Sequence, residues 1–183
     1  MKKALIGIGA VVLLIVMIFM YYKSLYDTAV RLDESVQTAW GNVGADYQRR
    51  ADLIPGLIET IKGAAANEKE ILTAVTNARA GIVGAKTPEE MDIAGKKINA
   101  AINLAFEAYP QIRSTQNFSE FQAQLEGTEN RINVSRKNYN EAVKAYNSHV
   151  RSLIPSMLIG GKFPPKEMFK EAEGAEVAPS VKF

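Results

Sequence analysis

A chain of 183 residues is long enough for one domain with its own core plus an appendage, and too short for two ordinary domains. Its 22 Lys and Arg stand against 20 Asp and Glu, and Lys2 and Lys3 alone account for the excess, which excludes the clustered basic footprint of a nucleic-acid binder. The absence of cysteine excludes disulfides, thiolate nucleophiles, Cys-based zinc sites and a lipid-bearing cysteine.

The first element is the uncharged run from Ala4 to Tyr22, ALIGIGAVVLLIVMIFMYY. As a helix it would extend roughly 28 Å, close to the thickness of a hydrocarbon core. A cleaved signal peptide would have a shorter apolar region of about 7 to 15 residues and a small-residue cleavage site. Here the run ends in MIFMYYKSLY, so an uncleaved transmembrane helix is the preferred reading. Tyr21 and Tyr22 stand where interfacial aromatics belong, and Lys2 and Lys3 outweigh the mixed Lys23, Asp27, Arg31, Asp33 and Glu34. That bias predicts a single-pass protein of the cytoplasmic membrane, N-terminus inside and the remainder on the outer, periplasmic face.

Beyond the span, apolar residues recur at helical spacing. The expected fold class is all-α: an N-terminal transmembrane helix followed by an antiparallel up-and-down four-helix bundle. The organisation is a short basic N-terminus at 1–3, the span at 4–22, the bundle at 23–154 and an extended tail at 155–183. Leu25, Ala29, Leu32, Val36, Ala39 and Val43 step by fours and threes, so the first soluble helix runs on from the span to about Arg50. Asp46 and Arg50 take the next positions of that stripe. A second helix is expected after Pro55, from Leu57 and Ile58 through Ile71, Leu72, Val75 and Ala78 to Gly81 or Gly84.

The third helix opens at Thr87 as N-cap, with Pro88 at the first helical position and Glu90 completing a capping box. It ends at Tyr109, before Pro110. The fourth opens at Asn117 and carries Phe118, Leu125, Ile132, Tyr139, Tyr146 and Leu153 at seven-residue spacing. Phe121, Thr128, Ser135, Ala142 and His149 fall between them, a pattern of shallow-angle, coiled-coil-like packing that Pro155 is expected to end.

Chemistry is sparsely marked. A di-metal carboxylate site in a helical bundle needs Glu-x-x-His on two helices, and the one histidine, His149, has Tyr146 in the Glu position. His149 reads as a seam histidine with a local hydrogen bond. GIVGAKTPEE lacks the spacing of a phosphate loop, and its Lys-Thr pair leads into the capping box. No catalytic, metal-binding or cofactor-binding residue is assigned.

Several longer motifs remain. They are A-W-x-N-V at Ala39–Val43, Q-R-R-A-D-L-I-P-x-L-I at Gln48–Ile58, N-E-K-E at Asn67–Glu70, L-E-G-T-E-N-R-I at Leu125–Ile132 and R-x-x-Y-N-x-A-V-x-x-Y-N at Arg136–Asn147. In this order the chain, from about Tyr26 to Phe163, closely resembles the LemA family of bacterial membrane-anchored proteins. The resemblance implies one N-terminal span, a soluble antiparallel helical bundle, and no established enzymatic activity or cofactor. Gly56 stands where the family commonly has Asn, and Asn67 where His is usual, so no role of that histidine is carried over.

Two groups of residues are carried forward as candidate sites. The first is the charge cluster Asp46, Arg49, Arg50, Asp52, Glu126 and Glu129. Asp46 and Arg50 would pair within the first helix, Asp52 would cap the second, and Arg49 and Arg50 would meet Glu126 and Glu129 of the fourth. A corner that sets helix register is the preferred reading, and a partner or ligand site is the alternative. The second group follows from parity: in an up-and-down bundle the fourth helix ends on the side where the first leaves the bilayer. Met157, Leu158, Ile159, Lys162 and Phe163 are then either an interfacial patch or a plug for the base of the bundle, while Leu153 and Ile154 are expected to fold back.

The expected function is that of a non-enzymatic scaffold held at the lipid bilayer, which meets a protein partner or another copy of itself. An accessory subunit of an envelope enzyme system and a self-associating membrane-shaping protein are the alternatives. Because the chain lacks cysteine, Ser180→Cys reports sidedness without background. A membrane-impermeant maleimide should label it in intact cells or spheroplasts, and labelling only after lysis would reverse the topology.

Overall fold

The computed structural model describes residues 2–60, 68–108 and 116–170, and among these it is all-helical, with no strand. Five helices follow one another: α1 (Lys2–Thr60), α2 (Glu68–Gly84), α3 (Pro88–Ala108), α4 (Gln116–Val150) and α5 (Leu153–Ile159). The apolar N-terminal part of α1 is long and hydrophobic enough to cross a membrane, and none of that window is buried against protein. The expected stop of α3 at Tyr109 and Pro110, Asn67, the side chain of Phe118, and the tail with Ser180 lie outside the described residues.

Two compact units divide the chain. One comprises Met1–Ala39 with Glu141–Lys166, the other Trp40–Asn140 with Glu167–Phe183. In the first unit, the start of α1 and the end of α4 run antiparallel: His149 Nε2 donates to the Leu25 carbonyl at 3.0 Å, while Asp33, further along α1, and Tyr146, earlier on α4, share Lys166, which pairs with Asp33 and lies 5.3 Å from the Tyr146 ring centre. In the second, α1 and α4 are again antiparallel, since Trp40 packs at a tilt against Tyr139 (5.3 Å between centroids) and Arg50 meets Glu129. Also in that unit, α3 and α4 are antiparallel, Asp92 meeting Arg136 and Phe106 packing edge-on against Phe121 at 5.9 Å. Small residues permit the close approaches there. A Cβ at Gly95 would lie 2.4 Å from the Tyr47 ring, and one at Gly81 would lie 3.3 Å from Ala94.

Helix α1 does not stop at Arg50. It continues through Pro55 to Thr60, so Leu57 and Ile58 belong to α1 rather than to a second helix, and α2 is described from Glu68. Proline inside a helix forfeits a backbone hydrogen bond and costs about 3 kcal/mol. Burial just before the proline opposes that cost: Ala51 and Ile54 are fully buried, and a buried Ile side chain contributes roughly 1.5 to 3 kcal/mol. The core stripe itself moves. After Val43 it passes to Tyr47, Ala51 and Ile54, since an ideal helix drifts by about 20° per heptad and so leaves Asp46 and Arg50 at the flank.

The same drift appears on α4. Its buried face is Phe121, Leu125, Thr128, Ile132, Ser135, Tyr139, Val143, Tyr146 and Val150. The heptad alternation holds to Tyr139, where a second step of four brings in Val143 instead of Ala142 and returns the helix to its natural period. The Thr128 and Ser135 hydroxyls are buried and donate to the Leu125 and Ile132 carbonyls of their own helix. Pro155 does not end α4. The helix stops at Val150, Ser152 turns extended (φ −68°, ψ 154°), and Pro155 sits in the first turn of α5, where a missing N–H is harmless. Leu153 is therefore not a seam residue and is 77% exposed. The capping box of α3 is formed, with Glu90 N–H donating to Thr87 Oγ1 at 3.2 Å and Thr87 N–H to Glu90 Oε2 at 3.3 Å.

After α5 and its turn, Pro164–Lys170 has no regular secondary structure and is held as a strap by side chains of α4. In the first unit Asn147 accepts from Lys166 N–H at 2.9 Å and donates to its carbonyl at 2.8 Å, and Tyr146 donates to the Pro164 carbonyl. In the second, Asn140 accepts from Phe169 N–H at 2.9 Å and donates to its carbonyl at 3.0 Å, and Tyr139 donates to the Glu167 carbonyl. Each Asn amide thus satisfies both backbone groups of one residue, as a neighbouring strand would. The spacing explains the repetition. Seven residues of helix rise roughly 10.5 Å, and three residues of extended chain cover roughly 10 Å.

Asn140→Ala removes both partners of a buried residue's backbone and should destabilise the chain by about 1 to 3 kcal/mol. Hydrogen exchange at the Phe169 amide should accelerate while α3 amides keep their protection. Unchanged exchange at Phe169 would mean that the clamp does not hold the strap.

Candidate functional site

The sequence-derived charge cluster lies in the second unit, and its members take different environments. Arg50 forms an ion pair with Glu129, across from α1 to α4. Its side chain is only 12% exposed, and neither Nε nor Nη1 has an acceptor aligned for a hydrogen bond, so the contact satisfies charge but not direction. Burial therefore pushes the Arg50 guanidinium below its ordinary pKa, with Tyr47 opposing that shift. The intrahelical pair of Arg50 with Asp46 is not formed; Asp46 is half-buried on the flank of α1. Asp52 is not an N-cap, because α1 continues past it. It pairs instead with Arg79 of α2, in a contact exposed on both sides. Arg49 is exposed, as is Glu126, which accepts at 3.5 Å from Gln122 of its own helix.

A second node in the same unit joins residues that the sequence reading passed over. Arg136 on α4 forks onto Asp92 of α3, with Nη1 to Oδ1 at 3.0 Å and Nη2 to Oδ2 at 3.3 Å. Tyr47 of α1 adds its hydroxyl to the same Asp92 at 3.4 Å. Arg136 also donates to the Lys170 carbonyl at 3.2 Å and lies 4.7 Å from the Phe169 ring centroid. Phe169 is buried beneath Trp40 (6.0 Å) and Tyr139 (5.3 Å). Burial is the chief cause raising the Tyr47 and Tyr139 phenols above their usual pKa, so both act as neutral hydroxyl donors. The available sequence signals are the position of Arg136 beside Ser135 of the heptad seam and the twice-used Tyr-Asn dipeptide, Tyr139-Asn140 and Tyr146-Asn147.

The sequence-derived interfacial residues lie in the first unit and divide. Ile159 is 1% exposed and packs inward with Pro155, which removes it from any outward-facing patch. Met157 is 79% exposed, Leu158 is exposed, and Leu153 and Ile154 face outward with them instead of folding back. Phe163 is half-buried, edge-on to Tyr26 at 5.2 Å, and Lys162 Nζ lies 5.5 Å from the centre of the same ring.

The profile of the LemA family matches residues 39–183, which include the whole charge cluster and the strap. The chain belongs to the LemA family. It is similar to Protein LemA of Metamycoplasma hominis, at 23% identity over 143 residues, 76% of this chain and 65% of that relative. The chain thus spans just under two thirds of the length of the curated relative it matches. Membership in the LemA family accords with membrane association. The matched region begins at residue 39 and leaves out the apolar span.

The arrangement of charges ties helices in pairs: α1 to α4 through Arg50, α1 to α2 through Asp52, and α3 to α4 through Asp92. For the half-exposed Asp52–Arg79 pair the net contribution is small, about 0 to 1 kcal/mol. Arg50 differs because a buried charge left without its partner is costly. In thermal unfolding of the full chain, Arg50→Met and Glu129→Gln should show a coupling of about 0.5 to 3 kcal/mol, at the lower end because Glu129 is half exposed. The Arg50/Glu126 cycle should give about zero. Zero coupling in the Glu129 cycle would remove the tie between α1 and α4.

Proposed function

We propose that this chain is a non-enzymatic, membrane-tethered helical scaffold that offers its helices to a protein partner or to another copy of itself. The antiparallel pairings are read here as an up-and-down bundle lying on the outer face of the cytoplasmic membrane, with Lys2 and Lys3 inside. The observation that carries this reading is the continuity of α1. One uninterrupted helix, Lys2–Thr60, includes both the unburied apolar span and the core residues Val43, Tyr47, Ala51 and Ile54.

A structural use of the charged residues also supports the reading, since Arg50, Asp52 and Asp92 are each engaged with a partner on another helix. Among the described residues, the second unit exposes large apolar side chains at Val83 on α2, Ile93 on α3, Val134 on α4 and Met168 on the strap. Scattered apolar residues of this kind are ordinary on a surface, so their use has to be tested by contact. A photo-crosslinking amino acid placed singly at Val83, Ile93 or Val134 of the full chain in intact cells should yield a covalent adduct from at least one position. The adduct should contain a defined protein or a second copy of the chain. Normal expression with no protein adduct from any of the three would overturn the scaffold reading.

A further inference from the structure

Helix α5 poses a problem that the first unit does not solve internally. Its sequence, LIPSMLI, is apolar but for Ser156, whose hydroxyl donates to the Leu153 carbonyl of the same helix, and a helix so apolar is commonly buried or lies against lipid. Pro155 and Ile159 supply the inward face. The opposite face, Leu153, Ile154, Met157 and Leu158, is left exposed, with Leu153 and Met157 one turn apart and the most open of the four. Outside the apolar span, no other described segment of the first unit exposes a cluster of large apolar side chains.

The position of α5 bears on what that face meets. The turn that ends it is closed by Lys162 N–H and Phe163 N–H donating to the Ile159 carbonyl, at 2.9 and 3.3 Å. Phe163 and Lys162 then sit on Tyr26, and Tyr26 stacks on Tyr22 at 6.5 Å. Tyr22 is the last residue of the uncharged run and Tyr26 is one helical turn beyond it, about 6 Å along the axis. At the other end, His149 bonds the Leu25 carbonyl three residues before α5 is entered at Ser152. Both ends of the short helix are thereby fixed to the part of α1 that adjoins the membrane span. Arg151 before α5 and Lys162 after it are exposed cations, suited to lipid phosphates, while the helix between them carries no charge.

We propose that α5 is an interfacial foot. Leu153, Ile154, Met157 and Leu158 enter the bilayer leaflet from which α1 emerges, and Arg151 and Lys162 lie at its phosphates. The proposal rests on the reading that Ala4–Tyr22 crosses the membrane, and it adds a second, monotopic contact to that anchor. Such a contact restrains rotation of α1 about its own axis, which a single span leaves free.

The test uses the cysteine-free full chain in nanodiscs of phosphatidylcholine and phosphatidylglycerol, with a bimane fluorophore on one introduced cysteine at a time. Val12→Cys reports the span, Lys144→Cys an exposed position on α4, and Met157→Cys the foot; Leu153→Cys replaces Met157→Cys if that variant loses helicity. The expected result is severalfold stronger quenching of the foot by nitroxide on lipid acyl chains than of Lys144→Cys, with protection from aqueous iodide, as for Val12→Cys. A foot quenched by iodide while Val12→Cys is quenched by lipid overturns the proposal and leaves the membrane tether standing. Shielding from both quenchers means that protein covers α5, a second copy included, and also overturns it. Failure of acyl-chain nitroxide to quench Val12→Cys would remove the tether reading, and the foot with it.

Discussion

The second unit depends on what Asp92 and Arg136 do for each other. A carboxylate and a guanidinium, each roughly a quarter exposed, would be costly to hold apart from water singly. Forked together, they orient one another and leave donors to spare. Tyr47 uses Asp92 to fix α1 against α3, and Arg136 donates from Nη2 to the Lys170 carbonyl as well and sets its flat face on Phe169. Three helices and the strap thus converge on one ion pair. Gly95 makes that convergence possible, because any side chain there would occupy the Tyr47 ring position.

The charged residues of this unit are unequal in consequence. Exposed pairs such as Asp52–Arg79 set helix register with little net stabilisation, whereas Arg50 and Arg136 are positioned where loss of a partner is felt. The buried tyrosines contribute in one protonation state only. Their raised pKa means that the stability they supply is present below the ordinary phenol pKa of about 10 and is lost as pH rises through the folded-state value. The fold is therefore insensitive, through these groups, to the pH range between acidic and neutral.

Much of the architecture was legible because it rests on local rules. The span shows in composition, the start of α3 in a capping box, and α4 in its apolar repeat. Two of the differences share an origin in periodicity carried too far. Extending a three-four stripe past Val43 led to Asp46 and Arg50, and extending heptads past Tyr139 led to Ala142 and Leu153, whereas a real helix regains its period by moving to Tyr47 and to Val143. Local propensity disfavours Pro55 inside a helix and makes it read as a boundary, and tertiary burial of Ala51 and Ile54 overrides that preference. The clamps were invisible for another reason. A side-chain amide that imitates a strand is a long-range device, and its only trace was a Tyr-Asn pair repeated seven residues later.

The strap also has a consequence for how the chain reaches its folded state. Phe169 follows every other described core residue in sequence, so synthesis from the N-terminus delivers α1, α3 and α4 before the side chain that covers Trp40 and Tyr139. Until Phe169 emerges, that aromatic face and the amides of Asn140 are open to whatever else is nearby. The nascent helices therefore pass through an interval in which an extended segment of another polypeptide could occupy the same clamp, and closure by the chain's own strap ends that exposure.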